Sequence, residues 1–244
     1  MNRPRVEWLS PLDPPEYFPD VESALREPDG LLAAGGDLSS ERLLNAYASG
    51  IFPWYEDGQP ILWWSPDPRC VLRPAELRIS RRLRQYARRS TLTCSYNQDF
   101  GAVIRACAGQ RKSQQGTWIT SAMIAAYEEL HAGGWAHSVE IRADSRLVGG
   151  IYGVCIGKVF FGESMFSHCD HASKFAMLAL CQVLLRNQFA LLDCQVISPH
   201  LLSLGAHQIP RRTFTDILRA SCANRSQFRG WPTISLPIAG LLAK

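Results

Sequence analysis

The stretch Phe161-Gly162-Glu163-Ser164-Met165-Phe166-Ser167 is followed by Ala172-Ser173-Lys174 and then by Asp193-Cys194-Gln195. This pattern predicts a strand, a turn, a helix and a second strand. Glu163, Asp193 and Gln195 lie beside or inside strongly apolar runs, where an unpaired carboxylate is costly to bury. Polar groups in such places are candidates for a functional site, because desolvation strengthens their interactions and shifts their pKa values.

The surrounding residues predict a mixed α/β domain. We expect a helix over residues 121–132, three hairpin-linked strands over 138–142, 147–156 and 159–164, a helix over 172–187 and a strand over 190–196. Three linked strands, a helix and one more strand is the order of the acetyltransferase-like (GNAT) fold. From the pattern alone, this fold is one option among several mixed α/β folds.

The first part of the chain has a different character, because proline is frequent before residue 75. We expect one helix over residues 39–48, with Asp37 or Ser39 as its cap, and a short strand over 61–64. The Ser-Pro-Asp-Pro stretch at 65–68 interrupts regular structure. The sequence therefore predicts a small α+β domain at 1–69 and a larger α/β domain at 70–244.

The composition, with 46% apolar and 20% charged residues, is that of a soluble globular protein. The longest nearly apolar run, residues 175–185, is too short to span a bilayer, and the first residues lack the apolar segment of a secretory signal. Eight scattered cysteines without a C-x-x-C pair indicate core residues in a reducing compartment. We therefore expect a cytoplasmic protein without membrane contact, acting as a monomer.

Positive charge is concentrated in residues 78–89. Six arginines and no acidic residue occur there: Arg78, Arg81, Arg82, Arg84, Arg88 and Arg89. At helical spacing, Ile79, Leu83 and Tyr86 share one face, and Ser80 can cap the helix. A solvated helix face is the ordinary interpretation of such a pattern. The absence of acidic residues favours a phosphate-binding surface instead.

Several motifs in a fixed order show that the chain resembles the leucyl/phenylalanyl-tRNA–protein transferase family. The matching segments are Gly30-Leu31-Leu32-Ala33 with Gly35-Gly36-Asp37-Leu38, Gly50-Ile51-Phe52-Pro53-Trp54, Trp63-Trp64-Ser65-Pro66, Gly116-Thr117-Trp118-Ile119-Thr120, Gly162-Glu163-Ser164-Met165-Phe166-Ser167, Asp193-Cys194-Gln195 and Ser203-Leu204-Gly205-Ala206. They cover roughly residues 15 to 215.

This resemblance implies a small N-terminal domain on a GNAT-like catalytic domain. It also implies an enzyme that transfers Leu or Phe, with Met as a further candidate, from aminoacyl-tRNA to proteins that begin with Arg or Lys. The product is marked for degradation. The arginines at residues 78–89 would then bind tRNA, and no cofactor is implied, because the tRNA ester is already activated.

The resemblance gives catalytic roles to Asp193 and Gln195, which point to the same side of a strand. Asp193 would polarise the side-chain amide of Gln195, and the Gln195 oxygen would orient the attacking α-amine or accept its proton. The alternative for Asp193 is a purely structural role, in which it caps or pairs with a neighbouring group. Glu163 would bind the cationic side chain or the α-ammonium of the acceptor. The alternative for Glu163 is an internal ion pair, for instance with Lys174.

The donor side chain needs an apolar slot. Met177, Leu180 and Leu184 share one face of the predicted helix, a pattern that is more often simply core. By resemblance these residues line the Leu/Phe pocket together with Ile151, Phe160 and Leu192. Relatives can carry Phe in place of Leu180 and Leu184, which bears on the pocket's width. Trp54 and Trp118 lie in loops, and either one could stack on the terminal adenosine of tRNA or serve in domain packing.

Other functions have less support. His168-Cys169-Asp170-His171 is a nonspecific pattern for a metal, and we expect no metal site. For His200, after Pro199, we expect packing or capping. A CoA-dependent N-acetyltransferase of the same fold is one alternative function, but the turn at residues 167–173 lacks the glycines that usually hold the CoA pyrophosphate. A non-catalytic tRNA-binding module is the other, but it has no use for Glu163, Asp193 and Gln195.

Overall fold

The computed structural model describes residues 5–112 and 118–242, with the side chains of 110–112 excepted. The elements in these ranges are β1 (Glu7–Leu9), β2 (Leu31–Gly35), α1 (Ser40–Ala48), β3 (Phe52–Pro53), β4 (Leu62–Trp64), β5 (Arg69–Leu72), α2 (Arg81–Arg89), β6 (Thr93–Tyr96), α3 (Phe100–Lys112), α4 (Ser121–Ala132), β7 (Ala136–Ala143), β8 (Arg146–Ile156), β9 (Val159–Ser167), α5 (Ala172–Arg186), β10 (Leu191–Gln195), α6 (Pro199–Ser203), β11 (His207–Ile209), α7 (Arg211–Ser221) and β12 (Leu236–Pro237).

The strands form two sheets. The first has the order β1-β2-β4-β3, and the second has the order β11-β5-β10-β9-β8-β7-β6-β12. In the second sheet, β7, β8 and β9 are antiparallel neighbours, whereas β9 and β10 are parallel. Parallel neighbours need a crossover, and α5 provides it. The predicted mixed α/β class and the GNAT-like order of three strands, helix and strand are confirmed.

Local signals in the sequence set several of these boundaries. Ser39 caps α1 as predicted, with its hydroxyl accepting a hydrogen bond from the Arg42 N–H. The helix predicted over residues 121–132 has those bounds in the structure and is capped by Thr120. Strand β9 continues to Ser167, beyond its predicted end at residue 164, because its pairing with β8 extends to Gly149.

The change from one sheet to the other falls between β4 and β5, close to the predicted domain boundary. The apolar core continues across this point, and one buried cluster contains Leu9 and Trp63 as well as Tyr152 and Phe214. The division into domains at 1–69 and 70–244 therefore stays a prediction. Strand β5 begins at Arg69, so the second sheet already includes the last residue that we assigned to the first domain.

Two other expectations concern cysteines and membranes. All eight cysteines are free, and six of them are buried. The six buried cysteines therefore act as small core residues, as the sequence indicates. Within the described ranges, no helix combines the length and the apolar character that are needed to cross a bilayer.

A buried ion pair joins β5 to β10. The Arg69 guanidinium donates to both Asp193 carboxylate oxygens, at 2.9 and 2.7 Å, and both side chains are fully buried. Its third nitrogen donates to the Gly50 carbonyl at 3.0 Å, and its plane lies against the rings of Phe52 and Phe214. Arg69 thereby connects the strand that carries Asp193 to the loop that precedes β3.

Removing only one partner of this pair should be strongly destabilising. Arg69→Met leaves a buried carboxylate without its counter-charge, and we expect a loss of about 3–5 kcal/mol in the free energy of unfolding. The matched double variant, Arg69→Met with Asp193→Leu, replaces both charges and should recover most of that loss. Urea unfolding of the three proteins measures both values. A double variant as unstable as the single one would contradict this account.

Candidate active site

Glu163 is the centre of a buried polar cluster. It lies on β9 with 7% of its surface exposed. One carboxylate oxygen accepts hydrogen bonds from the Tyr47 hydroxyl at 2.7 Å and from the Gln195 side-chain amide at 2.8 Å. The other accepts from the Tyr127 hydroxyl at 2.9 Å. These partners are neutral, and no cationic side chain pairs with Glu163 in the described part of the chain, so the alternative of an ion pair with Lys174 is wrong.

Burial dominates the protonation of this carboxyl group. Desolvation raises the pKa of Glu163 to about 7, although its hydrogen bonds to Tyr47, Tyr127 and Gln195 act in the opposite direction. Burial and the charge of Glu163 also raise the pKa values of Tyr47 and Tyr127, which therefore stay protonated as donors. Near neutral pH, Glu163 can thus change its charge when a cation arrives.

Tyr47 and Tyr127 are site residues that the sequence analysis did not identify. They come from α1 and α4, and each belongs to the buried, mainly apolar face of its helix. Both are buried, and their hydroxyl groups also contact each other. A buried hydroxyl group requires a hydrogen-bond partner, so a tyrosine on an apolar helix face indicates a buried polar contact. The sequence does not show which residue is that partner.

The geometry of Asp193 and Gln195 differs from the predicted relay. A bulge in the pairing of β10 with β5 falls at these residues, and Gln195 has φ of 60°. The Asp193 carboxylate accepts a hydrogen bond from the backbone N–H of Gln195 at 3.0 Å, whereas the side-chain amide of Gln195 donates to Glu163. Asp193 therefore fixes the backbone of Gln195 and does not polarise its side-chain amide.

A cavity of about 400 Å³ opens beside this cluster. Its apolar lining includes Ile151, Met177 and Leu192, and Trp54 and Trp118 also line it. Gln195 and Glu163 line the same cavity and supply polar groups. The cavity thus combines an apolar slot, two tryptophans and a titratable carboxylate.

Three residues predicted for this slot lie elsewhere. Phe160, Leu180 and Leu184 do not line the cavity and are buried in the apolar core. Leu180 and Leu184 follow Met177 by one and two turns of α5, so they are displaced along the helix axis and only Met177 reaches the cavity. These three residues therefore do not line this cavity, and their part in a donor pocket stays a prediction.

The arginine-rich segment forms α2, with Ser80 as its cap. Arg78 precedes the helix, because α2 begins at Arg81 and the arginine-rich segment begins at residue 78. All six arginines are exposed, and none forms an ion pair with a carboxylate of the described residues. Leu83 and Ala87 anchor the opposite face, while Tyr86 is 42% exposed and contacts Phe175 and His171.

Two histidines of the predicted loop at residues 168–171 have packing contacts. His168 lies against the Phe166 ring, and His171 lies against Tyr86. His200 is on the first turn of α6, where Ser198 and not His200 is the cap, and it lines the cavity beside Glu163.

A polar cluster where the parallel pairing of β9 with β10 ends, beside an apolar cavity, is typical of an enzyme active site. Comparisons with known proteins give the class of enzyme. The sequence model of the leucyl/phenylalanyl-tRNA protein transferase family matches residues 71–219, and that of its N-terminal domain matches residues 36–67.

Curated relatives extend this match over most of the chain. A leucyl/phenylalanyl-tRNA–protein transferase of Azotobacter vinelandii is 58% identical over 201 residues, which are 82% of this chain and 89% of that protein. The protein of the same name from Pseudomonas aeruginosa is 54% identical over 214 residues, 88% and 94% of the two chains. The chain belongs to the leucyl/phenylalanyl-tRNA–protein transferase family and is a transferase enzyme. This family membership argues against the two alternative functions, a CoA-dependent N-acetyltransferase and a non-catalytic tRNA-binding module.

The raised pKa of Glu163 predicts a specific pH dependence of stability. Because folding favours the neutral carboxyl group, its stabilising contribution is complete below its ordinary pKa of 4.5 and is lost as the pH rises through about 7. Relative to Glu163→Gln, the wild type should lose about 3 kcal/mol of unfolding free energy between acidic and mildly alkaline pH. Denaturation across this range measures the difference, and parallel curves for the two proteins would contradict the burial of an unneutralised carboxyl group.

Proposed function

We propose that this enzyme transfers Leu or Phe from aminoacyl-tRNA to the α-amino group of proteins that begin with Arg or Lys. The observation that carries the proposal is Glu163, a buried carboxylate whose partners are all neutral. A buried carboxylate without a counter-charge is costly, and a bound cation offsets that cost through a charge-assisted bond. The cation is the side chain of the acceptor's first residue or its α-ammonium group.

The reaction needs no bound cofactor. The α-amine nitrogen of the acceptor attacks the ester carbonyl carbon of aminoacyl-tRNA, and a peptide bond forms as the bond to the ribose oxygen breaks. The proton lost by the amine ends on that ribose hydroxyl. Holding an amine and an ester in reactive geometry can supply on the order of 7–11 kcal/mol of the barrier.

Gln195 is suited to hold the amine. Its Nε2 donates to Glu163, and its Oε1 has no hydrogen-bond partner among the described residues, so this oxygen is available as an acceptor. Asp193 positions it through the backbone N–H, and Arg69 holds Asp193. An amide is a poor base, so orientation of the amine, rather than removal of its proton, is the role we assign to Gln195.

The donor's side chain would occupy the slot lined by Ile151, Met177 and Leu192, and Trp54 or Trp118 would stack on the terminal adenosine. Leu180, Leu184 and Phe160 lie in the core behind this wall and would influence its shape indirectly. Helix α2 and the preceding Arg78 would bind phosphates of the tRNA acceptor stem. We further propose that the enzyme acts as a monomer in the cytoplasm, where charged tRNA is present, and that its product is a degradation signal.

One assay tests the activity. The protein is incubated with Leu-tRNA and a peptide that begins with Arg, and the product is examined for a new N-terminal Leu. We expect transfer to the Arg peptide and to its Lys counterpart, and none to the N-acetylated peptide, which has no free amine. Acetyl transfer from acetyl-CoA in place of Leu transfer would contradict the proposal, as would tRNA binding without any product.

The same assay tests the site. Glu163→Gln removes the charge and should lower kcat/KM for the Arg peptide by about a hundredfold, as expected when one member of a buried charge pair is lost. Gln195→Ala should lower kcat while leaving the affinity for Leu-tRNA nearly unchanged, because Gln195 acts on the amine. Unchanged transfer by either variant would remove that residue from the proposed site.

The arginines of α2 give a separate prediction. Binding of phosphates releases counterions, so the affinity for tRNA should fall steeply with salt. Changing Arg81, Arg84 and Arg88 together to Ala should weaken tRNA binding and reduce the salt slope by about one unit for each phosphate that the variant no longer binds. Transfer from an aminoacylated adenosine should be unaffected, because this donor has no stem. Equal losses on both donors would mean that α2 is only structural.

A further inference from the structure

Lys174 lies next to the active site without a counter-charge. It is half-buried on the first turn of α5, and within the described part of the chain it forms no ion pair and no hydrogen bond through its side chain. Of the acids near this turn, Asp170 is exposed, and Glu76, on a segment packed against α5, is paired with Arg73 and His207. Among the described residues, no carboxylate is paired with the ammonium group of Lys174.

The position of Lys174 relates it to the cavity. Residues three apart on a helix share a face, so Lys174 lies on the same face of α5 as Met177, one turn closer to the start of the helix. Met177 lines the cavity beside Glu163. Lys174 does not line the cavity itself, but together with burial its charge lowers the pKa of His200, a residue that does, so Lys174 lies close to the rim.

His200 adds a polar group to this rim. It lines the cavity, and its Nε2 is buried without a hydrogen-bond partner among the described residues. Burial and the nearby charge of Lys174 lower the pKa of His200, so the imidazole is neutral at pH 7 and carries one N–H donor. An unpaired cation beside an imidazole whose Nε2 lacks a hydrogen-bond partner is suited to bind an anion.

We propose that Lys174 and His200 bind the phosphodiester that joins the last two nucleotides of the aminoacyl-tRNA donor. This inference rests on the proposed function, because the donor's terminal adenosine must occupy the cavity for its phosphate to reach the rim. Lys174 supplies the charge and His200 one hydrogen bond. Both are binding residues that position the ester, and neither takes part in the bond-forming step.

A series of donors of increasing length tests the proposal. Phe is presented on adenosine, on the dinucleotide cytidylyl-adenosine, on the same dinucleotide with an uncharged methylphosphonate linkage, and on full tRNA. The variants are Lys174→Met, Lys174→Arg and His200→Leu. Lys158→Met is a matched control, since Lys158 donates to the Asn187 carbonyl beyond the other end of α5.

For the wild type, kcat/KM should fall about tenfold when the dinucleotide linkage loses its charge, the size expected for one hydrogen bond to a charged group. Lys174→Met should lose about tenfold on the charged dinucleotide, should scarcely distinguish the charged from the uncharged linkage, and should match the wild type on adenosine. Lys174→Arg should retain most of the preference, and Lys158→Met should retain all of it. His200→Leu should show a smaller loss confined to the charged linkage.

Three outcomes would overturn the proposal. An equal loss for Lys174→Met on every donor, adenosine included, would mean that Lys174 supports the fold or the aminoacyl group. A wild type that does not distinguish the charged from the uncharged linkage would mean that no phosphate is bound there. A loss that appears only with full tRNA would assign Lys174 to the stem instead. If the wild type transferred Phe from none of the donors, the proposed function itself would fail, and that result is distinct from these three.

Discussion

The ion pair between Arg69 and Asp193 is the constraint on which the site depends. Two fully buried charges are stable only when they meet with good geometry, and here the guanidinium engages both carboxylate oxygens as well as the Gly50 carbonyl. Asp193 also accepts the backbone N–H of Gln195, which has a positive φ that non-glycine residues rarely adopt. The ion pair therefore holds in place the bulge that presents Gln195 to Glu163.

Glu163 has the opposite character, because its partners stabilise the carboxylate without neutralising it. Two tyrosine hydroxyls and one amide come from α1, α4 and β10, so elements distant in sequence fix its orientation. The pKa of Glu163 is raised to about 7 because these hydrogen bonds offset only part of the free-energy cost of burying its charge. A site prepared in this way responds to an incoming cation, since binding that cation removes a cost that the folded protein already bears.

In the proposed function, different parts of the site recognise the donor and the acceptor. Four surfaces are suited to successive parts of an aminoacylated nucleic acid: the apolar wall, the tryptophans, the cavity rim and α2. Glu163 and Gln195, in contrast, are suited to bind an amine. Because these surfaces belong to different elements, a substitution in one of them can change one step of binding and leave the other steps intact. Donors of graded length can therefore distinguish their contributions.

The sequence by itself determined the order of strands and helices around residues 121–195, the cap of α1, the exposed arginines of α2, and the candidacy of Glu163, Asp193 and Gln195. Periodicity, caps and polar residues in apolar runs are local properties, and the ordered motifs indicated the family. The tertiary structure alone decided which groups meet. Packing between elements far apart in sequence pairs Arg69 with Asp193 and brings the two tyrosines to Glu163. It also keeps Leu180 and Leu184 away from the cavity wall. Spacing along one strand or helix carries no information about such pairings.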